Sequence, residues 1–514
     1  MNGADALIAT LADGGIEVCF ANPGTSEMHL VDAIDRSDMR AVLCLFEGVA
    51  TGAADGYGRM TGRPAATLLH LGPGLANGLA NLHNAKRART PLINLIGDHA
   101  SYHLELDAPL TSDISTLAAP MSNFVATVPA ADAMTTAGNQ ALGDALSKPG
   151  NIVTLILPAD CAWSEVTATS SASVEPRKAA AVDPEDIRVA ADLVRSHSSS
   201  VIMLGGKALT AGALESAARI AAVCDGRLIS ETFPARVQRG AGRPQIDRLA
   251  YFGEMIADQL ADVEHLLLIG AKTPVSFFAY DGKDSLPVPD TTTVHSLMGE
   301  DQDAEAWLAA LARELDAPAE HGRAQPAVIP PTEDGPLNVM GIGSVLAELM
   351  PGNAIVSDES ATAGLFLYPM TAGAAPHDWM TLTGGSIGQG LPLAVGAAIA
   401  CPDRKTLALQ ADGGGMYTLQ ALWTMAREKL DITTLIINNS SYAILNIELD
   451  RVGLGGAGAK ARSLLELSNP PLDWVALAEG MGVPARKADS VASLRDALRD
   501  AINRDGPALV EAIV

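Results

Sequence analysis

Residues 406–439 constrain the fold of this chain more than any other stretch. An apolar run from Thr406 to Gln410 ends in Ala411-Asp412-Gly413-Gly414-Gly415, and Thr418 to Lys429 then carries a helical pattern. A second apolar run, Ile432 to Ile437, ends in Asn438-Asn439. Strand, glycine turn, helix, strand and asparagine turn make a βαβ unit, which requires a parallel sheet covered by helices. Both turns then leave the sheet at its carboxyl edge, where α/β folds collect ligands. The turn residues suit a ligand. Asp412 offers a carboxylate, Asn439 an amide oxygen, and Gly413 and Gly414 bare backbone amides. Such oxygens suit a hard divalent cation such as Mg²⁺, and glycine amides beside it suit a diphosphate. Two unrelated turns would use the same dipeptides, so the unit alone leaves that alternative open.

The length, 514 residues, fits about three domains. A net charge of −25 argues against nucleic acid and anionic membrane as partners, since both are polyanions. The five cysteines are scattered without Cys-x-x-Cys spacing, which fits buried thiols in a reducing compartment. The first residues carry no basic segment, and no apolar run is long enough to span a bilayer, so a cytoplasmic protein is expected. Residues 168–184, rich in Ser, Ala and Pro, and residues 315–336, with five prolines and charged residues, show no apolar periodicity and read as linkers. They divide the chain into residues 1–167, 185–314 and 337–514. Each part alternates short apolar runs with amphipathic stretches. The expected fold is α/β, with three domains that each hold a mostly parallel sheet flanked by helices. Strands are expected near residues 18–20, 66–69, 92–96 and 152–157, then 200–204 and 265–269, and finally 354–357, 406–410, 432–437 and 508–513.

Five further runs place polar groups beside apolar segments. Glu47 follows Leu43-Cys44-Leu45-Phe46 and opens Gly48-Val49-Ala50-Thr51-Gly52-Ala53-Ala54-Asp55-Gly56-Tyr57-Gly58-Arg59. Taken alone, Glu47 reads equally well as a carboxylate at a helix N-terminus. The run Leu69-His70-Leu71-Gly72-Pro73-Gly74-Leu75-Ala76-Asn77 puts a histidine at a strand end. Phe20-Ala21-Asn22-Pro23-Gly24-Thr25-Ser26-Glu27 is a turn entering a helix, where Thr25 or Ser26 could simply cap. Thr383-Gly384-Gly385-Ser386-Ile387-Gly388-Gln389-Gly390 enters an Ala/Gly-rich helix, and Asp358-Glu359-Ser360-Ala361-Thr362 precedes it.

Together with the 406–439 unit, these runs resemble the thiamine-diphosphate (ThDP) enzymes of the acetolactate synthase and benzoylformate decarboxylase family, over nearly the whole chain. One departure is Ala411, which stands where the family signature has its first glycine. The resemblance implies that Glu47 sits beside the cofactor's aminopyrimidine and activates it. Pro23, Gly24 and Asn77 would line that ring, the Gly385 carbonyl would accept from its amino group, and Ile387 would wedge between the two rings. Mg²⁺ would be held by Asp412, the Asn439 side chain and the Ser441 carbonyl. Thr362, Gly413, Gly414 and Tyr442 would contact the diphosphate. In this family one subunit contributes the Glu and another the metal loops, so a homodimer or a homotetramer is implied. Nothing in Leu204-Gly205-Gly206-Lys207 marks a flavin site, and FAD is not expected.

The reaction is less constrained. Benzoylformate decarboxylases have a histidine at the place of His70, where it exchanges protons with reaction intermediates, and a serine near Ser26 that binds the substrate carboxylate. His99 is a candidate for a supporting role behind them. Their second catalytic histidine has no counterpart here: Phe278, Ala279 or Tyr280 occupies that region. Acetolactate synthases carry a tryptophan soon after the Asn-Asn turn, and residues 444–450 contain none. The expected activity is therefore a ThDP- and Mg²⁺-dependent, benzoylformate decarboxylase-like decarboxylase or carboligase acting on a 2-oxo acid with an apolar or aromatic side chain, with Phe277, Phe278, Tyr280, Ile444 and Leu445 as an apolar wall. The alternatives are a pyruvate-condensing acetolactate synthase-like enzyme, a 2-hydroxyacyl-thioester lyase and a non-catalytic regulatory homologue.

Overall fold

The computed structural model describes residues 1–167 and 175–514. Residues 168–174 of the first expected linker lie outside the described residues. Among the described residues the strands form three mostly parallel sheets flanked by helices. The first is built from β1 (Val18–Asn22), β2 (Arg40–Leu43), β3 (Ala65–His70), β4 (Leu92–Asp98), β5 (Phe124–Thr127) and β6 (Ile152–Pro158), in the order β2-β1-β3-β4-β6-β5. The middle part supplies β7 (Val201–Leu204), β8 (Arg227–Ser230), β9 (Val237–Arg239), β10 (Asp247–Arg248), β11 (His265–Ile269) and β12 (Thr293–Met298). Five of these form the second sheet, β10-β8-β7-β11-β12. The third contains β13 (Ile355–Glu359), β14 (His377–Thr381), β15 (Thr406–Ala411), β16 (Ile432–Asn438), β17 (Ala485–Ala488) and β18 (Ala508–Ile513), ordered β17-β18-β16-β15-β13-β14-β9.

Most central strands are announced by the sequence, although β8 and β14, each paired on both sides, are not. Every residue of β4, β6 and β16 is buried, and a strand covered on both faces reads as a continuous apolar run. The strands not anticipated include edge strands such as β2, β5, β12 and β17, which are partly exposed and more polar. The third sheet also has an unexpected member. β9 comes from the middle part and pairs antiparallel with β14, Val237 against Trp379. The helix expected over Thr418 to Lys429 is shorter, Ala421–Arg427, because turns occupy its flanks.

The helix Glu47–Thr61 is buried from Glu47 to Met60 and crosses the helix Gly390–Ala400 at backbone contact. A Cβ on Gly396 would lie 1.8 Å from the Ala53 carbonyl oxygen, and one on Gly56 2.1 Å from that of Leu393. Small residues at the crossing are therefore a packing requirement. Around it, Val49, Tyr57, Leu69 and Leu82 share one apolar core with Leu391, Leu422 and Trp474, which joins the first sheet to the third. Among the described residues, no helix is long and apolar enough to cross a membrane.

Candidate active site

β3 delivers His70 to its carboxyl end, and the chain turns sharply into the helix Leu71–Ala88. Leu71 makes the turn with φ of 51° while almost fully buried, a conformation rarely held by a bulky side chain and one that clusters at functional sites. The first turns of this helix carry Gly74 and Asn77. Opposite them, Glu47 stands at the N-terminus of its own helix, where the macrodipole favours a carboxylate. Asn77 Nδ2 donates to Glu47 Oε2 at 3.0 Å. A Cβ on Gly74 would lie 3.3 Å from Glu47 Oε1 and 3.5 Å from His70 Cβ, so Glu47 and His70 flank the same small gap.

The turn after β1 closes the other side of the imidazole. Pro23 leads into Gly24, where a Cβ would lie only 2.3 Å from His70 Nδ1. Ser26 Oγ lies 3.4 Å from the same nitrogen and donates to Glu27 Oε1 at 2.9 Å. Glu27 is fully buried; its Oε2 accepts from the Gly24 amide at 2.7 Å and faces His70 Nδ1 at 2.8 Å. Sequence reasoning gave this glutamate no role, because three residues after a glycine it reads as one member of a capping turn. Behind the pair, the Nε2 atom of His99 is buried and has no hydrogen-bond partner.

The run 383–390 is anchored from two sides. Asn84 donates to the Ser386 carbonyl at 2.8 Å and accepts from its amide at 3.2 Å, and Asn81 Nδ2 spans Gly48 O and Gly388 O at 2.8 and 3.2 Å. Arg59 grips Asp55 with two bonds of 2.9 and 2.7 Å and reaches the Thr381 carbonyl and the Thr383 hydroxyl, while Gln389 Nε2 donates to Asp55 Oδ2. These bonds give the Asp55-to-Arg59 pattern its physical meaning. From below, the Glu359 carboxylate accepts from the amides of Gly388 and Gly390. Burial pushes its pKa up to about 7, against the pull of those two amides and of Gln410. Ile387 is held half-buried between these fixed neighbours. Gly385, at φ of 74°, lies under the Phe277 ring, whose Cζ is 2.6 Å from where a Cβ would stand.

The loops after β13, β15 and β16 share the carboxyl edge of the third sheet. Register pairs Ala411 with Ile437 and Glu359 with Gln410, which sets Thr362, Asp412 and Asn439 at neighbouring strand ends. Asp412 is buried, and Oδ1 accepts the Gly413 amide at 2.9 Å. Its Oδ2 is buried with no partner. Burial raises the pKa of this carboxyl, while the amides of Gly413, Ser440 and Ser441 pull the other way. Asn439 Oδ1 accepts from the Ser441 amide at 3.0 Å, across Ser440 at φ of 52°. Tyr442 packs its ring on Gly413, and a Cβ on Gly414 would meet Glu359 Oε1 at 2.7 Å.

Among the described residues no cluster of three or more His, Cys, Asp or Glu is arranged to hold a metal. A cation at Asp412 would draw instead on one carboxylate and on amide and carbonyl oxygens, a set that fits a hard ion sharing phosphate oxygens. The unpartnered Oδ2 and the bare glycine backbone fit such a group. In the middle part, the Gly206 amide just after β7 donates to the half-buried Glu231 at 2.9 Å.

Comparison with known proteins agrees with this geometry. Residues 1–118 match the N-terminal TPP binding domain of thiamine pyrophosphate enzymes, and residues 364–512 match the C-terminal TPP binding domain. A Mycobacterium tuberculosis protein named "Putative acetolactate synthase large subunit IlvX" is 52% identical over 517 residues, covering 100% of this chain and 99% of that protein. Benzoylformate decarboxylase of Pseudomonas aeruginosa is 27% identical, covering 97% and 96%. The solved structure of a ThDP-dependent 4-hydroxybenzoylformate decarboxylase from Rhodococcus jostii RHA1 has the same fold, with a TM-score of 0.88 at 23% identity over 99% of this chain and 98% of that one. The chain thus belongs to the thiamine-diphosphate-dependent enzymes, in the family of acetolactate synthases and benzoylformate decarboxylases.

Proposed function

We propose that this enzyme decarboxylates a 2-oxo acid with an apolar or aromatic side chain, using ThDP and Mg²⁺, and that the resulting acyl unit is released as an aldehyde or added to a second carbonyl. The observation that carries the reading is the pairing of Glu47 and His70 across Gly74, two proton-exchanging groups at one gap. When bound, ThDP supplies a carbon nucleophile for the substrate carbonyl and an electron sink for the bond to CO₂. Glu47, held by Asn77, exchanges a proton with the cofactor's pyrimidine. Pro23, Gly24, the Gly385 carbonyl and Ile387 hold that ring. Asp412, Asn439 and the Ser441 carbonyl hold Mg²⁺, while Thr362, Gly413, Gly414 and Tyr442 hold the diphosphate. His70 gives and takes the proton at the substrate oxygen or carbon. Ser26 serves the substrate carboxylate by exchanging its bond to Glu27 for one to substrate. Phe277 and Phe278, both largely exposed, supply the apolar wall together with Ile444 and Leu445. Tyr280 is the member already engaged, donating to Glu448 at 2.8 Å. The functional unit in this reading is a cytoplasmic homodimer or homotetramer, with Glu47 and the metal loops coming from different subunits. Flavin has no part in it.

The relative named as an acetolactate synthase subunit, 52% identical throughout, favours a second reading in which pyruvate is the donor. The absence of tryptophan from residues 444–450 weighs against it. Purified protein with ThDP and Mg²⁺, given benzoylformate or pyruvate, separates the two. Benzaldehyde and CO₂ from benzoylformate support the first reading, and acetolactate from pyruvate alone supports the second. If neither acid is turned over, both readings fail for these substrates.

A further inference from the structure

Glu27 is a fully buried carboxylate on which Gly24, Ser26 and His70 all converge. Oε2 accepts from the Gly24 amide at 2.7 Å and lies 2.8 Å from His70 Nδ1, while Oε1 accepts from Ser26 Oγ at 2.9 Å. The surrounding backbone makes room for this pair. A Cβ on Gly97 would stand 1.7 Å from Glu27 Oε1, and one on Gly24 2.3 Å from His70 Nδ1. Leu71, in its left-handed conformation, turns the chain immediately after His70. Burying a carboxylate is costly unless charged or hydrogen-bonded partners offset it, and Glu27 has three donors to do so.

A carboxylate on Nδ1 fixes the proton there, and the lone pair or second proton of the imidazole then resides on Nε2. The His70 side chain keeps 26% of its surface open whereas that of Glu27 is wholly covered, so the free edge of the ring is the one away from Glu27. We propose that Glu27 is the positioning residue for His70: it sets the Nδ1–H tautomer, holds the ring against the Gly24 turn and stabilises the imidazolium when Nε2 takes a proton. The other ionisable groups around the pair are Glu47, across Gly74 from the ring, and Asp98 at the end of β4 with His99 beside it. Asp98 is itself raised by burial, with the Glu27 charge adding to that effect. The role assigned to Glu27 in turnover rests on the proposed proton exchange at His70, whereas its control of the tautomer does not.

The test uses enzyme labelled with ¹⁵N-histidine, with His70 signals assigned by their loss in His70→Asn, alongside CO₂ release from benzoylformate. The wild type should give an Nδ1-protonated, Nε2-free pattern for His70. Glu27→Gln should change its tautomer or its titration, lower kcat about 10- to 100-fold with little change in KM, and displace the pH profile. Glu27→Asp should recover part of kcat, which guards against reading a folding defect as an effect on His70. Superimposable His70 signals in wild type and Glu27→Gln, or an Nε2-protonated wild type, would overturn the proposal. If His70→Asn leaves CO₂ release intact, the proton-exchange reading fails and the part of Glu27 in turnover fails with it. The ¹⁵N spectra still decide independently whether Glu27 sets the tautomer.

Discussion

The carboxylates of the two sheet edges are treated in opposite ways. At the edge of the first sheet Glu27 and Glu47 each have donors, and Glu27 pairs with an imidazole. At the edge of the third, Asp412 keeps an oxygen with no protein partner, and Glu359 is raised to about 7 by burial. At the first edge both glutamates have hydrogen-bond partners, and the unpartnered atom there is an imidazole nitrogen, His99 Nε2, rather than a carboxylate oxygen. The second leaves one buried carboxylate oxygen, Asp412 Oδ2, without a partner where the sequence pattern calls for a cation. That difference is what the proposed roles require, proton exchange at the first edge and cation binding at the second.

The largest effect expected is at Asp412. Asp412→Asn should weaken Mg²⁺-dependent ThDP binding and lower turnover roughly 10³-fold or more, since a metal at such a site is worth several kcal/mol. The ligand-free variant should melt higher than wild type near neutral pH, because the cost of a buried charge is removed. A lower melting temperature without ligand would break the contrast drawn here. Next comes the joint between the two edges. Arg59→Met breaks a fully buried pair with Asp55 and should cost about 3–5 kcal/mol in denaturant unfolding. A loss below about 1 kcal/mol would mean that the bonds from Arg59 to Thr381 and Thr383 contribute nothing.

Glu359 sharpens the comparison through pH. Burial raises its pKa in the folded chain to about 7, against 4.5 for an ordinary glutamate, so the folded state keeps a proton that the unfolded state releases. Its contribution to stability is whole below pH 4.5 and is lost as pH rises through 7, roughly 3 kcal/mol in all. Ligand-free wild type should therefore lose more stability between pH 5 and 8 than Glu359→Gln does, as read from melting temperatures. Equal slopes would place the carboxyl in an ordinary environment. The smallest effect concerns the helix Ala443–Arg451, which buries none of its residues and is tied down by Tyr280 to Glu448 and by Arg451 to Glu254. Tyr280→Phe should loosen it by about 1 kcal/mol, seen as faster amide exchange confined to that helix.

The same contrast explains what the sequence reveals. The third sheet's edge is legible because its candidate ligands lie within one βαβ unit, and a glycine turn and an asparagine turn at the ends of buried strands are a local pattern. Glu47, His70 and Asn77 are legible for a similar reason, each being placed by a strand end or a first helical turn. Glu27 is not, because its meaning depends on His70, 43 residues away, and on the space left at Gly97. Glu359 is hidden likewise, since its partners Gly388 and Gly390 arrive from another loop. The antiparallel β9 was beyond reach: three residues of the middle part, Val-Gln-Arg, carry no strand signal of their own and are extended only because β14 presents an open edge.

The central claim is that Glu47 activates a cofactor held by the Asp412 loops. Hydrogen–deuterium exchange at the thiazolium C2 of bound ThDP, followed by NMR after acid quench, tests it without knowing the substrate. The account predicts fast exchange on the wild type and exchange slowed at least about 100-fold on Glu47→Gln, with ThDP still bound in the presence of Mg²⁺. Equal exchange rates on the two proteins, with ThDP bound to both, would contradict it.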